Sequence, residues 1–446
     1  MRILLINPPR SKYNGILQYA SEEAKKFIHK KLIGPPLGLL TIAAACKDEE
    51  VTFLDMKGEY DLDPNAPPPE VLVTKYLEMS NPDIVGTTFI ASEFNSGLEI
   101  FKTAKKFNPN ILTVAGGLHT TLCPGDFTDE SVDVLCPGQS ARAFLEIIDA
   151  KKKNISLEKV KGIIINKNGK QYFTEKETRN WNPAGENFIA PDRKLLKRWL
   201  STYKVGGSPH ILTYLFTSLG CPYKCSFCSI WPQFCGRFYQ REIESVVEEL
   251  KTLNDYKIVR FADANTIVNI DFIDKLFDRI IEEGIYKEYI MDIRADTAAE
   301  NPKLIEKLAR AGLKVVICGF ESYKDEELKK YNKDAQAVKI EESIKVFHNN
   351  GISVRGNYVI PNDYTERDFD EMKKFASKRK VVYAGYTILT PMPGTPYYEE
   401  VKNDIVDFDL AKYNFFNCVL KTKIPLEKFY ENVGELWLIK EGTDVI

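Results

Sequence analysis

The chain has 446 residues, 44% of them apolar, 28% charged and 11% aromatic, the proportions of a globular protein with more than one core and, at this length, about three domains. Its 61 Lys and Arg stand against 63 Asp and Glu, a net charge of -2, which excludes a surface built overall for nucleic acid or anionic membrane. Nine cysteines, an odd number at low density, exclude a disulfide scaffold. The start MRILLINPP has too short an apolar run for a signal-peptide core, and the longest nearly apolar run, 37–46, falls short of the ~20 residues of a membrane span. The expectation is a reduced, cytoplasmic chain, in which clustered cysteines serve metal or catalysis.

From residue 1 to about 150, short β-branched runs alternate with helical stretches. RILLIN (2–7), VTFLDM (51–56), DIVGTTF (83–89), ILTVAGG (111–117) and DVLCPG (133–138) read as strands, and 37–49, 70–79, 93–107 and 140–151 carry apolar residues at helical spacing. This alternation builds a doubly wound parallel sheet, whose small-residue loops at the carboxyl edge are where ligands bind. Residues 152–200 break the pattern: GIIINKNGKQYF (162–173) reads as a hairpin turning at Asn168-Gly169, and Asn, Pro and Gly crowd 180–191 as in a linker. A second series follows: ILTYLFTS (211–218), KIVRFAD (257–263), EYIMDIRA (288–295), KVVICGFES (314–322), SVRGNYVI (353–360) and YAGYTILT (383–390). Six βα units across 201–402 fit a parallel barrel short of the usual eight, open on one side. The tail 403–446 is too short for its own core and is expected to pack on the barrel.

The sharpest chemical signal is TSLGCPYKCSFC (217–228). Cys221, Cys225 and Cys228 directly follow a strand, at the edge where parallel barrels gather active sites. Three thiolates so close in sequence can hold three irons of a [4Fe-4S] cube and leave the fourth iron open to a ligand. Structural zinc takes four ligands, and Cys235 has no partner at finger spacing; inert buried cysteines are the plainer alternative. Cys46, Cys123, Cys136, Cys318 and Cys418 read as small core residues. The aromatic groups at 238–239, 397–398 and 413–416 also read as core.

The spacing C-x3-C-x2-C with Phe227 before the last cysteine resembles the signature of the radical SAM enzymes, and the resemblance covers the barrel. It implies Cys221, Cys225 and Cys228 as cluster ligands, with S-adenosylmethionine (SAM) chelated to the open iron and cleaved to a 5′-deoxyadenosyl radical. It further implies a SAM site of Phe227, Asp263, Asn265, Arg294, Glu321, Ser322 and Ile360, drawn from the strand ends FADAN, DIRAD, GFES and YVIPND. A cationic Arg294 suits the methionyl carboxylate, and Glu321 suits ribose hydroxyls or the amino group. YVIPND lacks the family's glycine after the fifth strand. TPMPGTPYY resembles the family's P-x-P-G-T loop, which closes over the active site.

A doubly wound domain, a hairpin linker and this barrel, in that order, resemble the cobalamin (B12)-dependent radical SAM enzymes of methyltransferase type. The implied fold is α/β: a Rossmann-like cobalamin-binding domain (1–151), a linker with a β-hairpin (152–200), a partial (βα)6 radical SAM TIM-type barrel (201–402) and a C-terminal extension (403–446). The implied cobalamin contacts are Pro9, Leu37, Gly38, Thr87, Thr88, Gly116, Gly117, His119, Gly138 and Gln139. Glycines there let backbone approach a corrin ring. The motif D-x-H-x-x-G is absent, and His119 reads as a loop or corrin-edge contact, so the lower face of cobalt is expected to carry no histidine; His29, His210 and His348 are the other histidines. PGQSARAF, around Gly138, departs from the family's G-E-G-E pattern.

The resemblance implies an anaerobic C-methyltransferase using the cluster, SAM and cobalamin as methylcobalamin to methylate an unactivated sp3 carbon, with a low-potential flavodoxin- or ferredoxin-type electron donor and neither nucleic acid nor membrane as partner. The active site is expected between the two large parts. The expected acceptor is a peptide or protein residue, such as a glutamine of methyl-coenzyme M reductase, over a small molecule, tetrapyrrole or lipid. The alternatives are a cyclase or rearrangement enzyme without methyl transfer, and a non-catalytic cofactor carrier.

Overall fold

A computed structural model describes residues 1–28, 34–176, 182–185, 188–205, 208–333, 337–378, 381 and 384–439. His29, the start of the sixth barrel run at Tyr383, and parts of 180–191 and of the tail lie outside them. The chain forms two compact units, Met1–Lys12 with Pro35–Thr202, and Tyr13–Gly34 with Tyr203–Ile446.

The first unit is a seven-stranded sheet in the order β2-β1-β3-β4-β5-β6-β7, comprising β1 (Arg2–Asn7), β2 (Glu50–Asp55), β3 (Ile84–Thr88), β4 (Leu112–Gly116), β5 (Val134–Leu135), β6 (Ile164–Lys167) and β7 (Lys170–Phe173). Strands β1 to β5 are parallel. Five consecutive residues of β1 are buried, the mark of a strand covered on both faces. Helix Phe94–Phe107 buries Phe94, Gly97, Ile100, Phe101 and Ala104, a stripe at helical period. The order reverses direction between β1 and β3, so the crevice at their carboxyl ends is a topological switch point.

The hairpin is not merely a linker. Strands β6 and β7 extend the sheet antiparallel from β5, turning at Asn168 (φ 52°) and Gly169 (φ 74°), because Ile163, Ile164 and Ile165 are buried against it. Trp199 is also buried, donating its Nε1–H to Glu59 at 2.9 Å, so the first unit runs to Thr202 rather than 151.

The second unit holds a six-stranded parallel sheet in strict chain order: β8 (Leu212–Leu215), β11 (Ile258–Phe261), β12 (Glu288–Asp292), β13 (Leu313–Glu321), β14 (Ser353–Ile360) and β15 (Gly385–Ile388). Sequential parallel strands with helical crossovers curl into the expected partial barrel. Leu212, Ile258, Ile290 and Val315 pack together on one face; at the alternation of two, that face continues to Tyr214, Arg260, Asp292 and Ile317. Helix Ile270–Glu282, capped by Asn269, buries Ile273, Leu276, Phe277 and Ile280 against the sheet.

The segment Tyr13–Gly34, expected in the N-terminal domain, belongs to this second unit. Helix Gly15–Tyr19 packs on helix Leu426–Leu436 of the C-terminal extension, with Tyr19 stacked on Tyr430 at 5.5 Å. Nothing in so short an apolar pattern tells which core it joins.

Candidate functional site

The cysteine loop hangs from a two-stranded antiparallel ribbon, β9 (Ser218–Gly220) and β10 (Phe238–Gln240). Gly220 has φ +82°, and a Cβ there would lie 2.1 Å from the Arg237 carbonyl oxygen, so only glycine closes the loop's neck. The ribbon is tethered by Asp263, whose buried carboxylate accepts from Thr217 N–H (2.8 Å), Thr217 Oγ1–H (2.7 Å) and Ser218 N–H (2.8 Å). Burial nevertheless lifts Asp263 to about 6.

Cys221 is buried, Cys225 and Cys228 half-buried. Trp231 Nε1–H donates to the Cys225 carbonyl at 3.0 Å, Ser226 N–H donates to the Tyr331 carbonyl, and the Phe227 ring packs edge-on against Tyr331 at 5.5 Å. Burial pushes all three thiols up, Cys228 to about 11, while Arg294 and Lys333 pull Cys221 and Cys225 back down. Neutral thiols in a loop beside two cations become good ligands once a soft metal displaces their protons. The donor set fits a cubic iron-sulfur cluster with one iron left open.

Beside the loop lies a cavity of about 420 Å³, within the range of small-molecule sites. Phe227, Asn265, Arg294 and Glu321 all line it, as do Asp292 and Lys333. Arg294 binds Asp296 (Nε to Oδ1 3.0 Å, Nη2 to Oδ2 2.5 Å) and lies 4.1 Å from the Tyr223 ring centre. Asp292 is fixed by Arg260 Nη2 at 2.8 Å. Glu321 has φ +61°, next to a register shift of β13 against β14. Its Oε1 accepts from Lys333 Nζ at 2.7 Å, and Lys333 also donates to the Gly319 carbonyl at 2.6 Å. A Cβ on Gly319 would stand 2.3 Å from Glu321 Oε1, so that glycine makes room for the ion pair. Asn265 is 4% exposed and its Oδ1 has no hydrogen-bond partner. A buried orphan acceptor is costly unless a ligand satisfies it, and an amino or hydroxyl donor of SAM fits.

Three expected SAM residues are placed elsewhere. Asp263 spends its carboxylate on the ribbon. Ser322 is buried, donating to Glu327 at 2.5 Å and accepting from Lys324 N–H. Ile360 is fully buried core. Sequence reading missed Lys333, in the irregular turn after helix Asp325–Lys330, where no periodicity flags it. It also missed Asp292, which polar residues at inward parity in two apolar strands, Arg260 and Asp292, could have shown. Phe415, Phe416 and Trp437 line the cavity too, so part of the aromatic group read as core faces open space.

At the carboxyl edge of the first unit the expected cobalamin contacts divide. Thr87 is buried and donates to the Ile6 carbonyl at 2.7 Å, which removes it from the edge. His119 is 3% exposed, its Nε2 hydrogen-bonded to Asp126 at 2.8 Å and its ring 5.2 Å from Phe94 and 5.9 Å from Phe127, contacts that match the loop role of the two expected for it. Leu37 is buried. Gly117 (φ +99°) would drive a Cβ to 2.5 Å from Thr88 Oγ1, so loop packing requires it. Gly38 and Gly138 (φ +73°) have open space where a Cβ would be, and Gly138 N–H is held by Thr121 Oγ1 at 2.9 Å. Pro9, Thr88 and Gly116 are half-buried and Gln139 is exposed. Bare backbone at a switch point is a cradle that fits a large flat cofactor.

Among the described residues, one group of three metal-ligand side chains is compact, His119, Cys123 and Asp126, with ligand atoms within 4.8 Å; its His–Asp bond braces the loop. Cys46, Cys136, Cys318 and Cys418 are buried, Cys123 is half-buried and Cys235 exposed at φ +52°. Burial pushes the thiols of Cys46 and Cys136 to about 12. No helix among the described residues is long and apolar enough to cross a membrane.

The profile of the Radical SAM superfamily matches residues 215–376, and that of the B12 binding domain matches 28–148. An uncharacterized methyltransferase, PH0819, of Pyrococcus horikoshii is 29% identical over 95% of this chain and 88% of that protein. The anaerobic magnesium-protoporphyrin IX monomethyl ester cyclase of Cereibacter sphaeroides is 25% identical over 87% of this chain and 64% of its own length. The hopanoid C-3 methylase of Methylococcus capsulatus is 24% identical over 90% and 75%. Among solved structures, the cobalamin-dependent SAM radical enzyme OxsB, with aqua-cobalamin and SAM bound, has a TM-score of 0.72 at 16% identity, covering 97% of this chain and 65% of that one. The radical SAM methyltransferase TsrM from Kitasatospora setae, with cobalamin and a [4Fe-4S] cluster bound, has a TM-score of 0.70 at 16% identity, covering 97% and 84%.

Proposed function

We infer that this chain, which belongs to the cobalamin-dependent radical SAM methyltransferases, methylates an unactivated sp3 carbon of a small molecule held in the barrel cavity. The observation that carries the reading is the buried orphan Asn265 Oδ1, in a cavity also lined by Phe227 of the three-cysteine loop and by the paired charges of Asp292, Arg294, Glu321 and Lys333.

The proposed cluster ligands are Cys221, Cys225 and Cys228. When bound, the cluster and SAM supply a 5′-deoxyadenosyl radical and cobalamin supplies the methyl group. The chain's own task is positioning. Asp263 and Gly220 fix the loop. Asn265 accepts a hydrogen bond from SAM, Arg294 offers its remaining positive field to the methionyl carboxylate, and Lys333 holds Glu321 aimed into the cavity. In the first unit, Gly38, Gly116 and Gly138, with Pro9, Thr88 and Gln139, are the proposed edge for cobalamin. His119, the one described histidine of that unit, spends its Nε2 on Asp126, which supports a lower cobalt face without histidine. The electron donor is proposed to be a low-potential flavodoxin or ferredoxin.

A small molecule is preferred to the peptide glutamine because the relatives named above include a hopanoid methylase and a protoporphyrin ester cyclase. Anaerobically reconstituted protein given dithionite and SAM should yield 5′-deoxyadenosine and bind cobalamin; an intact cluster with no deoxyadenosine under any substrate would favour a carrier. The resemblance to the cyclase keeps cyclisation as a second reading, marked by deoxyadenosine formation with no label from methyl-SAM in product.

A further inference from the structure

The cavity is also lined by Val359, Ile388, Leu389, Phe415, Phe416 and Trp437, none of them titratable. Phe415 is the unusual member. It adopts φ +71°, a region that bulky residues avoid and that collects at ligand clamps when they enter it. It is 40% exposed, so core packing does not demand an aromatic there; Asn or Gly would suit the backbone better. Its carbonyl accepts from Ile388 N–H at 2.8 Å, joining the loop to the last barrel strand.

The loop is held from the other end of the chain. Ile16 N–H donates to the Phe416 carbonyl (3.2 Å), Gly15 N–H to Asn417 Oδ1 (2.7 Å), and Asn414 Nδ2–H to the Tyr13 carbonyl (2.8 Å). Tyr430 stacks on Tyr19, accepts from Cys418 N–H at 2.8 Å, and lies so close to Gly15 that a Cβ would meet its ring at 2.4 Å. Residues 13–19 and Tyr430 thus brace the loop that carries the two phenylalanines.

We propose that residues 13–19 and 413–418 form a specificity element in which Phe415 and Phe416 receive an uncharged apolar group of the methyl acceptor. This rests on the methyltransferase reading of the same cavity. Charged acceptors find no ion-pair partner among these wall residues or the neutral Asn357, Thr387 and Thr390 that line the same cavity, and burying their charge there would be costly.

The test uses the full chain reconstituted with cluster, cobalamin and SAM, and two fluorescent probes, uncharged N-phenyl-1-naphthylamine and its anionic counterpart 8-anilinonaphthalene-1-sulfonate. The uncharged probe should bind saturably, one per chain, and more tightly than the anionic one. Phe415→Asn, which suits the positive φ and so preserves folding, should weaken that binding about tenfold, with SAM affinity by equilibrium dialysis held. Asn417→Ala and Tyr430→Phe, distant from the probe, should weaken it by a smaller factor. Unchanged uncharged-probe affinity in Phe415→Asn, or equal wild-type affinity for both probes, would overturn the wall's role; unchanged affinity in both Asn417→Ala and Tyr430→Phe would overturn the role of the N-terminal segment. Loss of deoxyadenosine formation in wild type, with the probe results intact, would instead count against the methyltransferase reading alone.

Discussion

In the second unit the side chains at the sheet's carboxyl edge face the cavity: Asn265 offers an orphan acceptor, and Arg294, Glu321 and Lys333 bring charge. In the first unit the corresponding polar side chains turn inward. Asn7 donates to Asp55 at 2.7 Å, Lys57 pairs with Glu93 at 2.7 Å, Thr87 binds Ile6, and His119 binds Asp126. What is left at that edge is chiefly the glycine backbone of Gly38, Gly116 and Gly138, with Pro9, Thr88 and Gln139. The contrast matches the cofactors proposed: a small polar sulfonium ligand is oriented by side chains, whereas a broad corrin is met by close backbone approach. Motif residues in the two units therefore mean different things, contact in one and scaffolding in the other.

The largest effect that could break this comparison is at the cysteines. Cys221→Ala, Cys225→Ala and Cys228→Ala should each abolish the cluster, read as iron content and visible absorbance after anaerobic reconstitution; a full cluster in any one of them would remove that residue as ligand. Two glycines at positive φ sharpen the comparison next. Gly220→Ala should lose the cluster and destabilise by at least about 2 kcal/mol, since the Cβ meets a carbonyl as well as a strained φ. Gly138→Ala meets only the strain, about 1–2 kcal/mol, but should weaken cobalamin binding; equal cobalamin affinity by dialysis would remove Gly138 from that edge.

Asp263 gives a pH signature. Burial raises its folded pKa to about 6, so the folded state binds the proton more tightly than the unfolded chain. Its contribution is complete below the unfolded pKa of about 4 and falls by about 2–3 kcal/mol as pH rises through 6. Urea midpoints of the wild type should show that decline, and Asp263→Asn should flatten it. The smallest effect expected is His119→Phe: about 1–2 kcal/mol lost with the Asp126 bond, and an unaltered cobalt absorption spectrum. A shifted spectrum would return His119 to the metal.

The cysteine loop and the alternation of strands and helices were legible because both are local: three thiols within eight residues, and apolar periods of 2 and 3.6. The placement of Tyr13–Gly34 was not, since its partners, Asn414 to Tyr430, lie some four hundred residues away in sequence. The hydrogen bonds that occupy Thr87, Asp263 and His119 are hidden in the sequence for a common physical reason. A polar residue at a strand end has the same sequence signature whether it reaches a ligand or satisfies a neighbouring backbone group, and only the hydrogen-bond partner separates the two.

Methyl transfer through this cavity is tested most directly by incubating the reconstituted chain, reductant and trideuteriomethyl-SAM with metabolite extract from cells lacking the gene, then following products by mass spectrometry. The expected result is one small molecule gaining an intact trideuteriomethyl group together with 5′-deoxyadenosine, in an amount that falls in Asn265→Ala. Deoxyadenosine formed at full rate while no molecule acquires the label would contradict it.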